Sequence, residues 1–233
     1  MSSLEKRRKI LKLIASWSGG KDSCLALYKS MQQGHKIQNL LTMMQNKRKS
    51  NFHMISTDLL DAQSQAIGLP ITKVPTTPQT YEQHFQNALQ EAKNRGAQGI
   101  LTGDIFDVAQ HEAGWLERIS ANAGLAPVRP LWHKDTAQVF NEFVDEGFKA
   151  IIIRTKHRFL DMEYLGKQLD KQFLAEIQKL GTSDPCGERG EYHTLVTDGP
   201  IFSKRIEILK TKTSTVNGWG NLQITKYNLT QKI

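Results

Sequence analysis

Ile10-Leu11-Lys12-Leu13-Ile14-Ala15 leads through Ser16-Trp17 into Ser18-Gly19-Gly20-Lys21-Asp22-Ser23, and then into Cys24-Leu25-Ala26-Leu27-Tyr28. The first run is rich enough in Ile and Leu for a buried strand, and the last reads as the opening turns of a helix. Strand, glycine turn and helix together leave several backbone amides free at a helix N-terminus. Those amides and the helix macrodipole favour an anion. Gly19 and Gly20 let a phosphate approach the backbone without meeting a Cβ. Lys21 adds a point charge, and the hydroxyls of Ser18 and Ser23 can donate. Asp22 makes sense beside a phosphate when a divalent cation lies between them. The plain alternative is an ordinary glycine turn.

The same alternation continues outward from this stretch. A helix runs to about Gln33 and stops at Gly34, and Ile37 to Met44 is a second strand. Asn46 to Asn51 is a polar, basic loop on the carboxyl side of that strand. Ser56 or Thr57 can cap a helix carrying Leu59, Leu60, Ala62, Ala66 and Ile67, ended by Gly68 and Pro70. Strands at Ile71–Val74, Gly99–Leu101 and Ala150–Ile153 alternate with helices at Tyr81–Arg95, Ala109–Ala123 and Asp135–Glu146. A short extended piece lies in Pro127–Trp132. Asp161 caps a long helix with Leu165, Leu169, Phe173, Ile177 and Leu180 in register. The expected fold class is α/β, a Rossmann-like parallel sheet with helices on both faces. From Gly181 loop residues dominate, and strand-like pieces near Tyr192–Val196, Arg205–Lys210 and Leu222–Tyr227 predict a smaller C-terminal section with β structure. The expected division is 1–130 and 131–233.

The chain has 233 residues, 39% hydrophobic and 23% charged, which is the composition of a globular protein. No run reaches the ~18 apolar residues of a membrane helix, and Met1–Lys12 lacks the apolar core and cleavage site of a signal peptide. Two distant cysteines, Cys24 and Cys186, make no disulfide framework, so the expected compartment is the cytoplasm. The net charge of +8 admits a nucleic-acid or other polyanionic partner. Basic residues bunch at Lys6-Arg7-Arg8-Lys9 and Lys47-Arg48-Lys49.

A second dense stretch is Asp184-Pro185-Cys186-Gly187-Glu188-Arg189-Gly190-Glu191-Tyr192-His193-Thr194. It sets two carboxylates three residues apart on a glycine-containing loop, with a Tyr and a His next to them. Such a loop packs poorly and presents polar groups well. Glu188 and Glu191 can serve an acceptor site, or simply form a solvated, salt-bridged loop. His53, His111 and His193 are not at metal-ligand spacing, and Trp115 and Trp132 read as core.

Ser-Gly-Gly-Lys-Asp-Ser fits neither the Walker A spacing nor G-x-G-x-x-G. It resembles the pyrophosphate loop of the N-type ATP pyrophosphatases, the PP-loop superfamily. With Phe52-His53, Thr102-Gly103-Asp104, Pro130-Leu131-Trp132 and Gly187-Glu188-x-Gly190-Glu191-Tyr192 in that order, residues 10 to 210 resemble the diphthine–ammonia ligase family. The usual continuation there is Glu-Tyr-Glu-Thr. Here it is Glu191-Tyr192-His193-Thr194, followed by Asp198-Gly199-Pro200, which is closer to the family's bacterial branch.

The resemblance implies an adenine-nucleotide α hydrolase-like domain and a smaller substrate-binding portion. It implies an AMP-forming ligase using ATP and Mg2+: a substrate carboxylate on a protein or small molecule is adenylated, pyrophosphate leaves, and ammonium supplies the amide nitrogen. Ser18, Gly19, Gly20, Lys21, Asp22, Ser23, Gly103 and Asp104 would then hold the nucleotide, with Asp22 on the metal. Adenine would be recognised by backbone near Leu40–Met44. His53, Gly187, Glu188, Gly190, Glu191, Tyr192 and His193 would face the acceptor. Lys21, Asp22, Glu188 and Glu191 would carry the chemistry. The alternatives are a PP-loop enzyme that modifies tRNA and a nucleotide-binding sensor without ligation. A homo-oligomer is compatible with either, and no membrane is expected.

Overall fold

The structure is a computed structural model that describes residues 9–46, 48–50, 53–107 and 112–232. Lys6, Arg7, Arg8, Lys47, Asn51, Phe52, His111 and the first residues of the helix expected from Ala109 lie outside the described residues.

The N-terminal half alternates β1 (Lys12–Ser16), α1 (Lys21–Gln32), β2 (Lys36–Met44), α2 (Thr57–Ile67), β3 (Ile71–Pro75), α3 (Tyr81–Asn94), β4 (Gly99–Leu101), α4 (Trp115–Asn122) and β5 (Ala126–Val128). The five strands pair in parallel in the order β3-β2-β1-β4-β5. Sequence order therefore reverses between β1 and β4, and their carboxyl ends open a crevice of the kind that binds ligands in such sheets. Leu13 and Ala15 of β1 pack with Leu25 of α1 and Leu60 of α2 on one face. Ile14 and Leu41 pack with Phe85 and Leu89 of α3 and Ile119 of α4 on the other. Helices on both faces follow from this, because the central strands β1, β2 and β4 are apolar on both sides. Each buried leucine contributes roughly 1.5–3 kcal/mol.

α2 forms where its caps require it. The Ser56 side chain accepts from the Leu59 amide, and Gly68 ends the helix at φ +80°.

The C-terminal half adds α5 (Thr136–Asp145), β6 (Lys149–Lys156), α6 (Lys171–Leu180), β7 (Tyr192–Asp198), β8 (Lys204–Val216) and β9 (Trp219–Gln231). Its strands make a second sheet in the order β7-β6-β9-β8, with every pair antiparallel. Here the expectation for Ala150–Ile153 as a parallel strand is corrected. The apolar run is continuous because a bulge between Ile152 and Arg154 shifts the phase of β6, so that Ile152 and Ile153 are both buried.

The long helix expected from Asp161 is also corrected. Met162–Tyr164 is a single 3-10 turn, Gly166 takes φ +85°, and the chain then runs along β6, with the Leu169 amide donating to the Ala150 carbonyl. The helix proper starts at Lys171, with the Asp170 side chain accepting from the Phe173 amide at 2.8 Å.

β8 and β9 extend well beyond the pieces read from the sequence. Asn217 and Gly218, both at positive φ, form the two-residue turn that suits a twisted ribbon.

Candidate active site

The Ser18–Ser23 turn is built as its residues dictate. Gly19 takes φ +78°, and a Cβ there would meet Gln63 Oε1 at 2.5 Å. Gly20 is the N-cap of α1 without a side-chain cap, and a Cβ on it would strike the His53 ring at 2.5 Å. Ser18 Oγ donates to Ser23 Oγ and accepts from the Gly20 amide. The amide of Lys21 donates to Thr194 Oγ1 at 3.1 Å. The first-turn amides of Asp22 and Ser23 have no intrahelical acceptor, and both residues line the cleft.

The second dense stretch lies directly across. Asp184 Oδ1 accepts from the amides of Cys186 at 2.8 Å and Glu188 at 3.3 Å, which folds Asp184–Glu188 into a tight turn. Gly187 and Gly190 supply the positive φ values, +71° and +76°. Lys21 Nζ joins the two loops, pairing with Asp22 Oδ2 at 2.8 Å and donating to the Cys186 carbonyl. Lys21 is itself buried.

Ser18, Lys21, Asp22, Ser23, His53, Gly103, Asp104, Gly187, Glu188, Gly190, Tyr192 and His193 thus line one cleft of about 310 Å3. Gly19 and Gly20 sit in the turn between Ser18 and Lys21 and do not line the cleft themselves. Gly103 acts through close approach. A Cβ there would lie 2.6 Å from the Asp22 carbonyl carbon, so only glycine lets the end of β4 bring Asp104 against the first turn of α1.

Glu191 does not join them. It is fully buried, with Oε1 accepting from the Asp184 amide and Oε2 from the Arg189 amide, each at 2.9 Å. Its role is to hold the loop's shape, which corrects the expectation that it faces the acceptor.

Electrostatics are dominated by carboxyls around one ammonium. Burial, reinforced by Asp22, raises the Glu188 carboxyl to about 8 against the pull of Lys21. Burial raises Asp104 as well, opposed by the charge of Arg129. Burial also raises Asp22, although Lys21 draws it down. Burial disfavours the Lys21 ammonium, but Asp22, Cys186, Tyr192 and Glu188 outweigh it and lift its pKa well above the usual lysine value. Burial lowers His53 to about 4 and His193 well below the usual range, so both rings, 4.7 Å apart, are neutral at pH 7.

Asp22 Oδ1 is buried without a hydrogen-bond partner. Among the described residues no three His, Cys, Asp or Glu side chains converge as a metal cage. An orphaned carboxylate oxygen at a helix N-terminus fits Mg2+ shared with nucleotide phosphates, since Mg2+ is commonly bound by one or two carboxylates plus phosphates and water.

Other residues at or beside the cleft have no site role in the sequence reading. Thr194 anchors the Lys21 amide. Tyr81, Phe85 and Trp115 form an aromatic wall, with Phe85 and Trp115 centroids 5.4 Å apart. Gln63 is fully buried, accepts from Trp17 Nε1 and donates to the carbonyls of Gly19 and Val196. Its signal was available, because a glutamine at the core spacing of Leu59, Leu60, Ala66 and Ile67 is a buried polar group that needs partners.

No helix among the described residues is long and apolar enough to cross a membrane. The Diphthamide synthase N-terminal domain family model matches residues 11–127, and the Diphthamide synthase C-terminal domain model matches residues 135–230. A diphthine–ammonia ligase of Schizosaccharomyces pombe is 28% identical over 220 residues, covering 84% of this chain and 36% of that protein. One of Danio rerio is 26% identical over 227 residues, covering 87% of this chain and 88% of that protein. A solved structure described as a predicted subunit of tRNA methyltransferase from Methanocaldococcus jannaschii gives a TM-score of 0.47 at 15% identity, covering 82% of this chain and 98% of that one.

Proposed function

The chain belongs to the diphthamide synthase family, and on that premise we propose that it is an ATP-dependent, amide-forming ligase acting in the cytoplasm. An oxygen of the acceptor carboxylate attacks the α phosphorus of ATP, the bond between the α phosphorus and its bridging oxygen breaks, and pyrophosphate leaves. Ammonia then attacks the acyl carbon, the acyl–phosphate bond breaks, AMP leaves, and the amine gives up a proton. Residues 1–130 handle the nucleotide and residues 131–233 the acceptor.

The observation that carries this reading is the tie from Lys21 to Cys186 and Thr194, which sets an anion-ready helix terminus opposite a buried acid in one cleft. Phosphoryl transfer needs positioning and charge neutralisation more than covalent help. The amides of Asp22 and Ser23 and the hydroxyls of Ser18 and Ser23 hold the departing pyrophosphate, and Lys21 offsets its growing charge. Mg2+, when bound, neutralises phosphate charge beside Asp22. Asp104 orients the nucleotide at the β4 end. Glu188 takes the proton of the attacking amine, a role suited to a carboxyl tuned near neutrality. His53, Tyr192 and His193 shape the acceptor side.

The test is product analysis with ATP, ammonium and candidate carboxylates. The expected products are AMP and pyrophosphate, with amide formed only when ammonium is present. ADP and phosphate as the dominant products would refute the reading, and nucleotide binding without turnover for any carboxylate would favour a sensor.

A further inference from the structure

The β8–β9 ribbon packs Ile206, Ile208, Leu222, Ile224, Tyr227 and Leu229 inward and leaves its other face to solvent. Between residues 204 and 232 the chain carries six Lys or Arg and one acid, Glu207. Lys210 stands opposite Lys226, and Lys212 opposite Gln223. All four are exposed, and the three lysines make no ion pair among the described residues. Two lysines facing each other across a ladder repel, so this is a position where the fold gives up stability. Lysines on an edge strand can guard against aggregation. Guarding does not require them on both strands, opposite each other.

Register carries the same face into the cleft. Lys212, Ser214 and Val216 share it with Gln223, Asn221 and Trp219, and β6 adds Arg154 opposite Asn221 and Lys156 opposite Trp219. Arg154 lies 3.9 Å from the Trp219 ring centroid, and Trp219 stacks on His193 at 5.5 Å. His193 lines the cleft. A cationic track with amide and hydroxyl groups thus ends in an aromatic step at the mouth of the site.

We propose that the outer face of β8–β9 is a docking surface for single-stranded RNA, which it leads toward the cleft at His193. Lys210, Lys212 and Lys226 neutralise phosphates, while Gln223 and Ser214 meet base edges and 2′-hydroxyls, and Asn221 holds the Arg154 guanidinium and the Trp219 carbonyl in place. This surface goes beyond the ligase reading and does not depend on it.

The experiment is fluorescence anisotropy of a labelled 20-nucleotide oligouridylate between 50 and 200 mM salt, with the wild type and the Lys210→Gln, Lys212→Gln, Lys226→Gln triple variant. The expected result is wild-type binding that weakens steeply with salt. The triple variant should bind at least 10-fold more weakly at 50 mM, with a log–log salt slope shallower by about 2, the loss of three phosphate contacts. Its circular dichroism and ATP affinity should match the wild type. Equal RNA affinity in the two proteins would overturn the proposal, as would no binding at 50 mM. Displacement of the RNA by polyglutamate at equal charge concentration would overturn it in favour of an acidic protein partner. Ammonium-dependent AMP release, measured on the same samples, reports on the ligase reading separately.

Discussion

Glu188 and Glu191 lie three residues apart and meet opposite surroundings. Glu188 faces the cleft among other acids, whereas Glu191 is sealed beneath the loop with two backbone amides on it. Glu188→Gln is therefore expected to lower amide formation by ~10²-fold or more, the size of a lost general base, with little change in ATP affinity by calorimetry. Lys21→Ala should impair nucleotide binding and adenylation together. Glu191→Ala strands two part-buried backbone donors and should cost on the order of 2–4 kcal/mol, a fall of roughly 5–15 °C in Tm, with both activities lost at once. The pH dependence of stability gives a second test of Glu188. The unfolded chain releases the Glu188 proton near the ordinary carboxyl value of 4.5, the folded chain near 8. Between those values the folded state holds more protons, so raising the pH weakens it. Urea midpoints of Glu188→Gln and wild type should coincide near pH 4.5 and diverge in the variant's favour toward pH 8; parallel midpoints would show that Glu188 is not desolvated. Spacing alone presented these residues as a pair. The direction of a side chain in a non-repeating loop is fixed by distant partners, here Asp184 and the Lys156 amide that bonds the Glu191 carbonyl, and no local periodicity carries that information.

Among the elements, those whose caps and apolar spacing agreed were legible. α2 begins at Ser56 and ends at Gly68, because local chemistry and burial point the same way, whereas α1, without a side-chain cap, begins at Lys21, ahead of the Cys24–Tyr28 turns read from the sequence. Where they diverged, burial or backbone geometry won. Leu165 and Leu169 fit a helical stripe, but Gly166 at positive φ and hydrogen bonds to β6 claim that segment. The bulge in β6 turned an alternating strand into an apparently two-sided one. β4 is only three residues long, yet it depends on Gly103 just beyond it. Gly103→Ala would force Asp22 and the first turn of α1 away from β4. We expect a loss of ~1–3 kcal/mol by chemical denaturation, together with weakened ATP binding. Unchanged ATP affinity would mean that the approach of β4 to α1 does not shape the nucleotide loop.

At the scale of the molecule, strand–helix alternation announced the parallel sheet, and the loss of helical spacing after Gly181 announced a different C-terminal architecture. The sequence could not reveal that the second sheet closes the first loop. The Val196 amide bonds the Gly19 carbonyl, Thr194 receives the Lys21 amide, and Cys186 receives the Lys21 ammonium. Gln63 clamps the carbonyls of Gly19 and Val196 together. Gln63→Leu should therefore leave α2 helical by circular dichroism while weakening both ATP binding and thermal stability; an effect on stability alone would separate the clamp from the nucleotide site. This stitching has a consequence for a chain emerging from the ribosome. Residues 18–23 are synthesised early, but their partners arrive more than 160 positions later. A nascent or prematurely terminated chain carries the whole phosphate-binding motif without the strand that sets its geometry. A fragment that stops short of Cys186 is therefore expected to bind ATP more weakly than the full chain, a difference that calorimetry on the two would read.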